Sequence, residues 1–182
     1  VQKRILVEGS GESYPSGTSV VTDYTGTLAS ADWSVTEVLK CWLSEQQDLD
    51  HLSDGFRQEQ VDEAKLTDLD VFSETFVQET LGVAAKTACK KLVLAAKRLA
   101  TARQEYPPGM EFVSNDNYEF TLGSGKLIRG MELAGVASMK PGETAEIQMR
   151  SDYAYGPEGY RKRKGDVMVP PFATLSFQVQ LK

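Results

Sequence analysis

Val20-Val21-Thr22-Asp23-Tyr24-Thr25-Gly26-Thr27-Leu28 alternates at period two: Val20, Thr22, Tyr24, Gly26 and Leu28 share one face of an extended chain, and Val21, Asp23, Thr25 and Thr27 share the other. β-Branched and aromatic side chains at that spacing suit a pleated, half-buried strand. Upstream, Pro15-Ser16-Gly17 marks a turn, and residues 1 to 28 together read as strands. Downstream, the alternation stops and resumes only from about residue 110. There Tyr118, Phe120 and Leu122 alternate, then Ala145, Ile147 and Met149, then Leu175, Phe177, Val179 and Leu181, predicting three more half-buried strands. Ile128 to Met139 fits one short helix, ended by Lys140-Pro141-Gly142-Glu143, where Pro and Gly are placed for a type II turn. The outer zones thus predict a mostly antiparallel sheet with one helix.

Residues 29 to 109 have a different character, rich in Ala, Leu, Gln, Glu and Lys at helical spacing. Ser34 and Glu37 are spaced as a capping box, with Trp33 and Val38 as its hydrophobic staple. The helix they begin puts Val35, Val38, Leu39, Trp42 and Leu43 on one face. A shorter helix is predicted near Phe56 to Leu66. A long one is predicted from about Val71 to Arg103, where Leu81, Ala85, Ala88, Leu92, Ala95 and Leu99 form a seam, and Tyr106-Pro107-Pro108-Gly109 stops it. Such stripes bury one another in a small bundle, or part of the seam docks on a partner.

With 41% hydrophobic and 25% charged residues the composition is that of a soluble globular chain, and no apolar run approaches the roughly 20 residues needed to span a bilayer. A formal charge of −6 argues against nucleic acid as a partner. Cys41 and Cys89 are too few for a secreted disulfide scaffold and read as buried free thiols or as a pair meeting inside the bundle. His51, the only histidine, has no partner for a triad or a His-based metal site and falls on a polar loop between helices. Gly9-Ser10-Gly11 and Gly123-Ser124-Gly125 lack phosphate-loop spacing and read as turns. The chain begins at Val1 without an initiator Met, so a processed product or the ordered part of a longer protein is expected, in the cytoplasm or in an organelle lumen after loss of a targeting segment.

Several segments together resemble the FKBP family of immunophilin peptidyl-prolyl isomerases, in order and over about 100 residues. They are Val21 to Leu28, Phe120-Thr121-Leu122-Gly123, Leu127-Ile128-Arg129-Gly130-Met131-Glu132, Gly135-Val136-Ala137-Ser138-Met139, Asp152-Tyr153-Ala154-Tyr155-Gly156 and Val169-Pro170-Pro171-Phe172-Ala173-Thr174-Leu175. The resemblance implies an α+β fold: an FKBP-like twisted antiparallel β-sheet wrapped around a short helix, with an apolar pocket between them. On that reading the domain is discontinuous, made of residues 1–28 and 110–182, and residues 29–109 are an α-helical insertion placed where the family has a short bulged link. Closure entropy grows slowly with loop length, so such an insertion is tolerable.

The resemblance also implies a site. Tyr24, Phe112, Ile128, Tyr155 and Phe177 would be its catalytic residues, and Tyr118, Leu127, Met131 and Val169 would bind substrate, with the Ile128 N–H and the Tyr155 hydroxyl as donors. Taken alone, Phe177, Leu127 and Ile128 read as ordinary core. Neither metal nor cofactor is expected, because turning an Xaa-Pro amide needs only help over a barrier of roughly 18–20 kcal/mol, and the twisted amide is less polar than the planar one. Proline-containing peptides or proteins would be the partners.

Two departures from the family matter. Met131 stands where the pocket floor is usually Trp, and Val113 stands where the family usually has an Asp that polarises the site and pairs with the tyrosine of the second strand. Asp116 would substitute if the Ser114-Asn115-Asp116-Asn117 loop folded back. Weak isomerase activity and poor macrolide binding are therefore expected. The segment after Tyr155 is extended and holds Tyr160 and the basic run Arg161 to Lys164, which reads as a solvated loop tip or as a recruiter of acidic peptides. Two readings stay open: an isomerase of reduced activity, or a catalytically decayed scaffold whose helical insertion attaches it to a larger protein assembly.

Overall fold

The computed structural model describes residues 1–162 and 167–182, and its chain divides into two compact units, one of Val1–Ser30 with Pro107–Lys182 and the other of Ala31–Tyr106. In the first unit, β1 (Gln2–Val7), β2 (Ser19–Ala29), β3 (Glu111–Thr121), β4 (Thr144–Met149) and β7 (Thr174–Leu181) form one antiparallel sheet in the order β1-β4-β7-β2-β3. Two short strands, β5 (Tyr160–Arg161) and β6 (Val167–Val169), make a separate ribbon that the periodicity did not predict. Within the basic run, Arg163 and Lys164 lie outside the described residues.

Strand parity decides what this sheet buries. Val20, Thr22 and Leu28 of β2, Ala145, Ile147 and Met149 of β4, and Leu175, Phe177, Val179 and Leu181 of β7 are all buried, while Gln178 and Gln180 between them face water. Over that inner face lies a short irregular helix, a π turn at Met131–Gly135 followed by a 3-10 turn at Val136–Ser138, in place of the regular helix expected from Ile128 to Met139. The helix comes close to the sheet here: a Cβ on Gly135 would sit 2.8 Å from Ile147 Cδ1. The turn expected after it is present, with Gly142 at φ +79 and the Glu143 N–H donating to Lys140 O at 3.0 Å.

Where the chain leaves β2 and returns to β3, the backbone pairs with itself: the Leu28 N–H donates to Met110 O at 2.9 Å and the Gly109 N–H to Leu28 O at 2.7 Å.

The second unit contains α1 (Val35–Cys41), α2 (Ser53–Gln58), α3 (Glu63–Thr67) and α4 (Lys86–Glu105). Ser34 and Glu37 do meet at the start of α1, the Glu37 carboxylate accepting from the Ser34 N–H at 3.0 Å and hydroxyl at 2.9 Å. The helix expected from Phe56 to Leu66 is two helices, broken where Gln60 takes φ +50. The long helix expected from Val71 is likewise interrupted, because Gly82 takes φ +72, so α4 begins only at Lys86. Its buried stripe is Cys89, Leu92, Ala96, Leu99 and Ala100, rotated from the predicted seam. Trp42, Phe56 and Phe72 pack around one another with ring centroids 6.0 to 6.3 Å apart, and Cys41 and Cys89 are both buried and are not joined in a disulfide. Among the described residues no helix is long and apolar enough to cross a membrane.

Candidate functional site

Two irregularities in β3 aim side chains at the space between sheet and helix. Gly26 pairs with Val113 and Thr27 with Glu111, so Phe112 is an extra residue on β3; Thr22 pairs with Tyr118 and Tyr24 with Asn115, so a second extra residue lies between. Such bulges bend a strand and re-aim its side chains. At the second, Asn117 takes φ +53 and its N–H donates to Asp23 Oδ1 at 2.7 Å, while Lys182 Nζ reaches both Asp23 at 2.8 Å and Asn117 Oδ1 at 2.6 Å. Those bonds hold the bulge from the solvent face. The Asn117 N–H and Lys182 together keep the Asp23 carboxyl below its ordinary pKa.

On the inner face, Tyr24, Val113, Tyr118, Lys126, Leu127, Ile128, Met131, Tyr155 and Phe177 line a cavity of about 120 Å³. Seven of the nine residues named from the sequence thus come together. The other two are close by without lining it: Phe112 packs edge-on against Phe177 with centroids 5.6 Å apart, and Val169 is buried in β6 opposite Tyr160. Gly26 makes room for this ring pair, since a Cβ there would lie 2.7 Å from Phe177 Cε1 and 2.8 Å from Phe112 Cζ. Tyr24 meets Tyr118 edge-on at 5.6 Å and Phe177 at a tilt at 6.2 Å.

The polar groups are few. Asn115 Nδ2 donates to the Tyr24 hydroxyl at 2.8 Å, a partnership the sequence reading missed. Asp116, the residue expected to take that place if its loop folded back, lies instead with Asp23, Thr25, Gln178 and Gln180 around a polar depression that Tyr24 also lines. Burial pushes the Tyr24 hydroxyl above its ordinary pKa, with the bond from Asn115 opposing. The Tyr155 hydroxyl is also pushed up by burial, with Tyr160 and Tyr24 adding to it. Both phenols therefore keep their protons at neutral pH. Neither the Tyr155 hydroxyl nor the Ile128 N–H donates to a partner among the described residues, and no carboxylate, thiol or imidazole is among the lining groups.

Tyr155 is positioned by its neighbours in the chain. The Gly156 N–H donates to Ser151 O at 2.9 Å, and the Phe172 N–H to Gly156 O at 3.0 Å, tying the segment before β7 to the turn that carries Tyr155. From the β5–β6 ribbon, Tyr160 stacks on the Tyr155 ring at 5.2 Å and 28°. No periodicity could have shown that contact, because the ribbon is only two and three residues wide.

Residues 100–182 match the family model for FKBP-type peptidyl-prolyl cis-trans isomerase. The chain is 44% identical over 64 residues to FK506-binding protein 1 of Dictyostelium discoideum, an alignment covering 35% of this chain and 54% of that one. It is 39% identical over 67 residues to the peptidyl-prolyl cis-trans isomerase Fkbp12 of Drosophila melanogaster, covering 37% of this chain and 56% of that one. It therefore spans about half the length of these curated relatives. The crystal structure of AtFKBP13 is similar with a TM-score of 0.50 at 14% identity, over 98% of this chain and 87% of that one, a likeness of fold. Over residues 100–182 the chain is thus similar in sequence to FKBP-type peptidyl-prolyl cis-trans isomerases, and its fold is like that of AtFKBP13.

Proposed function

We propose that the sheet unit, with residues 29–109 as a helical insertion in it, is a peptidyl-prolyl isomerase of reduced activity that takes the proline ring of an Xaa-Pro segment into the cavity of about 120 Å³. One observation carries this reading: a small aromatic and aliphatic cavity lined by Tyr24, Tyr118, Leu127, Ile128, Met131, Tyr155 and Phe177, with two unengaged donors near it. An apolar protein cavity of about 150 Å³ admits benzene, so the space suits one five-membered ring. The Ile128 N–H and the Tyr155 hydroxyl would hold the carbonyls flanking the proline. The dry aromatic wall would favour the less polar twisted amide over the planar one. Each ~1.4 kcal/mol taken off the barrier is tenfold in rate. No proton needs to move.

Val113 supports the reduced rate, because an aliphatic side chain at that position polarises nothing. It equally supports a second reading, in which catalysis has decayed and the fold is kept as a scaffold for the helical unit. Cis/trans exchange on a short Leu-Pro peptide, followed by NMR, separates the two. Acceleration by the wild-type chain that is lost in Phe177→Ala and reduced in Tyr155→Phe is expected; no acceleration by the wild type would leave the scaffold reading standing.

A further inference from the structure

Residues 31–85 of the helical unit hold thirteen Asp or Glu against three Lys or Arg, whereas α4 holds six Lys or Arg and one acid, Glu105. One of the six, Arg103, is committed, its Nε 2.6 Å from Glu63 Oε1. The remaining five, Lys86, Lys90, Lys91, Lys97 and Arg98, are all exposed, and none is in an ion pair among the described residues. The acids of the same unit that do pair use Arg57, Lys65 and Arg103.

The arrangement on the helix is specific. Leu94 is 50% exposed, and Lys90, Lys91, Lys97 and Arg98 lie at its i−4, i−3, i+3 and i+4 positions, the places that neighbour it on a helical surface. Lys86 extends the patch by one turn, giving a stripe of about 18 Å at 1.5 Å per residue. The first turn of α4 has no acidic residue to meet the positive end of the helix dipole. Like charges this close repel one another within a Debye length, and no close ion pair relieves them among the described residues.

We propose that this face of α4 is a docking surface for an acidic amphipathic segment of another protein, an apolar residue of which packs on Leu94 while its carboxylates meet the four surrounding cations. An apolar centre rimmed by charge is how a protein interface excludes water from its contact point. A phosphate backbone would use the cations but has no place for Leu94, and the chain's net charge of −6 opposes it. One leucine adds too little apolar area to hold a bilayer surface. The proposal stands whether or not the cavity turns proline amides.

The test uses the full chain and a fluorescein-labelled helical peptide in which one Leu is flanked by Glu at its i±3 and i±4 positions, read by anisotropy. Binding that weakens about tenfold in Lys90→Glu/Arg98→Glu, about tenfold again in Leu94→Gln, and not at all in Lys140→Glu is expected, with circular dichroism showing each variant folded. Leu94→Gln binding like the wild type would reduce the face to unspecific charge and overturn the proposal. So would tighter binding to a DNA duplex or to phosphatidylserine vesicles. A dimer in sedimentation that Lys90→Glu dissolves would give the face to a second copy of the chain, and the proposal would again fail.

Discussion

The Tyr24 hydroxyl accepts from the Asn115 amide, so its own proton stays available to another acceptor, and Tyr24 lines the cavity. Loss of one neutral hydrogen bond of this kind is worth about 1 kcal/mol, or roughly fivefold in a rate that depends on it. Asn115→Ala is accordingly expected to lower catalysed Leu-Pro exchange about fivefold and Tm by no more than about 2–4 °C; an unchanged rate would detach Tyr24's partner from the chemistry. Behind this pair, Asp23 holds the β3 bulge through the Asn117 N–H and Lys182. Because the folded pKa of Asp23 is depressed, its contribution is complete above the unfolded carboxylate value near 3.9 and is lost as pH falls through the folded one. Amide exchange and the Tyr24 and Tyr118 ring signals should therefore change together below about pH 4 in the wild type, and already be changed at neutral pH in Asp23→Ala. Parity along β2 and β7 put Tyr24 and Phe177 on the inner faces of their strands, and only the resemblance to the FKBP family marked them as site residues. Asn115 was illegible, because two extra residues in β3 break the count from Phe112 onward, and only the tolerance of Asn117 for positive φ hinted at where.

Strands were read more accurately than helices here, for a local reason. Period two survives a bulge on either side of it, whereas a helical stripe is carried across any residue that does not forbid it. Leu81 and Ala85 fit the α4 spacing and lie before its start, the chain having turned at Gly82. The helical unit is held by a contact that spacing could not reveal. Buried Glu63, at the start of α3, accepts from the Trp33 N–H at 2.9 Å and from Arg103 Nε at 2.6 Å, while the Arg103 guanidinium lies 5.1 Å from the Trp33 ring centroid. Removing one partner of a largely buried ion pair leaves the other uncompensated, at about 3 kcal/mol. Glu63→Gln should lower the unit's stability by about that much in urea titrations followed by tryptophan fluorescence, and a loss under about 1 kcal/mol would mean that water replaces the contact. Both tryptophans, Trp33 and Trp42, lie in this unit, so the signal belongs to it alone.

At the scale of the whole molecule, composition was enough to separate sheet from helix, and seven of the residues that the family resemblance named line one cavity. What they could not show is how the first unit closes on itself. The paired backbone at Leu28, Gly109 and Met110 means that β2 can zip to β3 only after 80 intervening residues have been brought round. For a floppy segment that closure is about 2.5 kcal/mol harder than for a five-residue link. A helical unit that has already clasped Trp33 to Arg103 through Glu63 removes most of that search. Folding should thus run in a fixed order, tryptophan burial first and protection of the β2 and β3 amides second. Slowing the first step with Glu63→Gln should slow the second by up to about fiftyfold in pulse-labelled exchange. The module that splits the sheet in sequence becomes, in time, the template on which the sheet is completed.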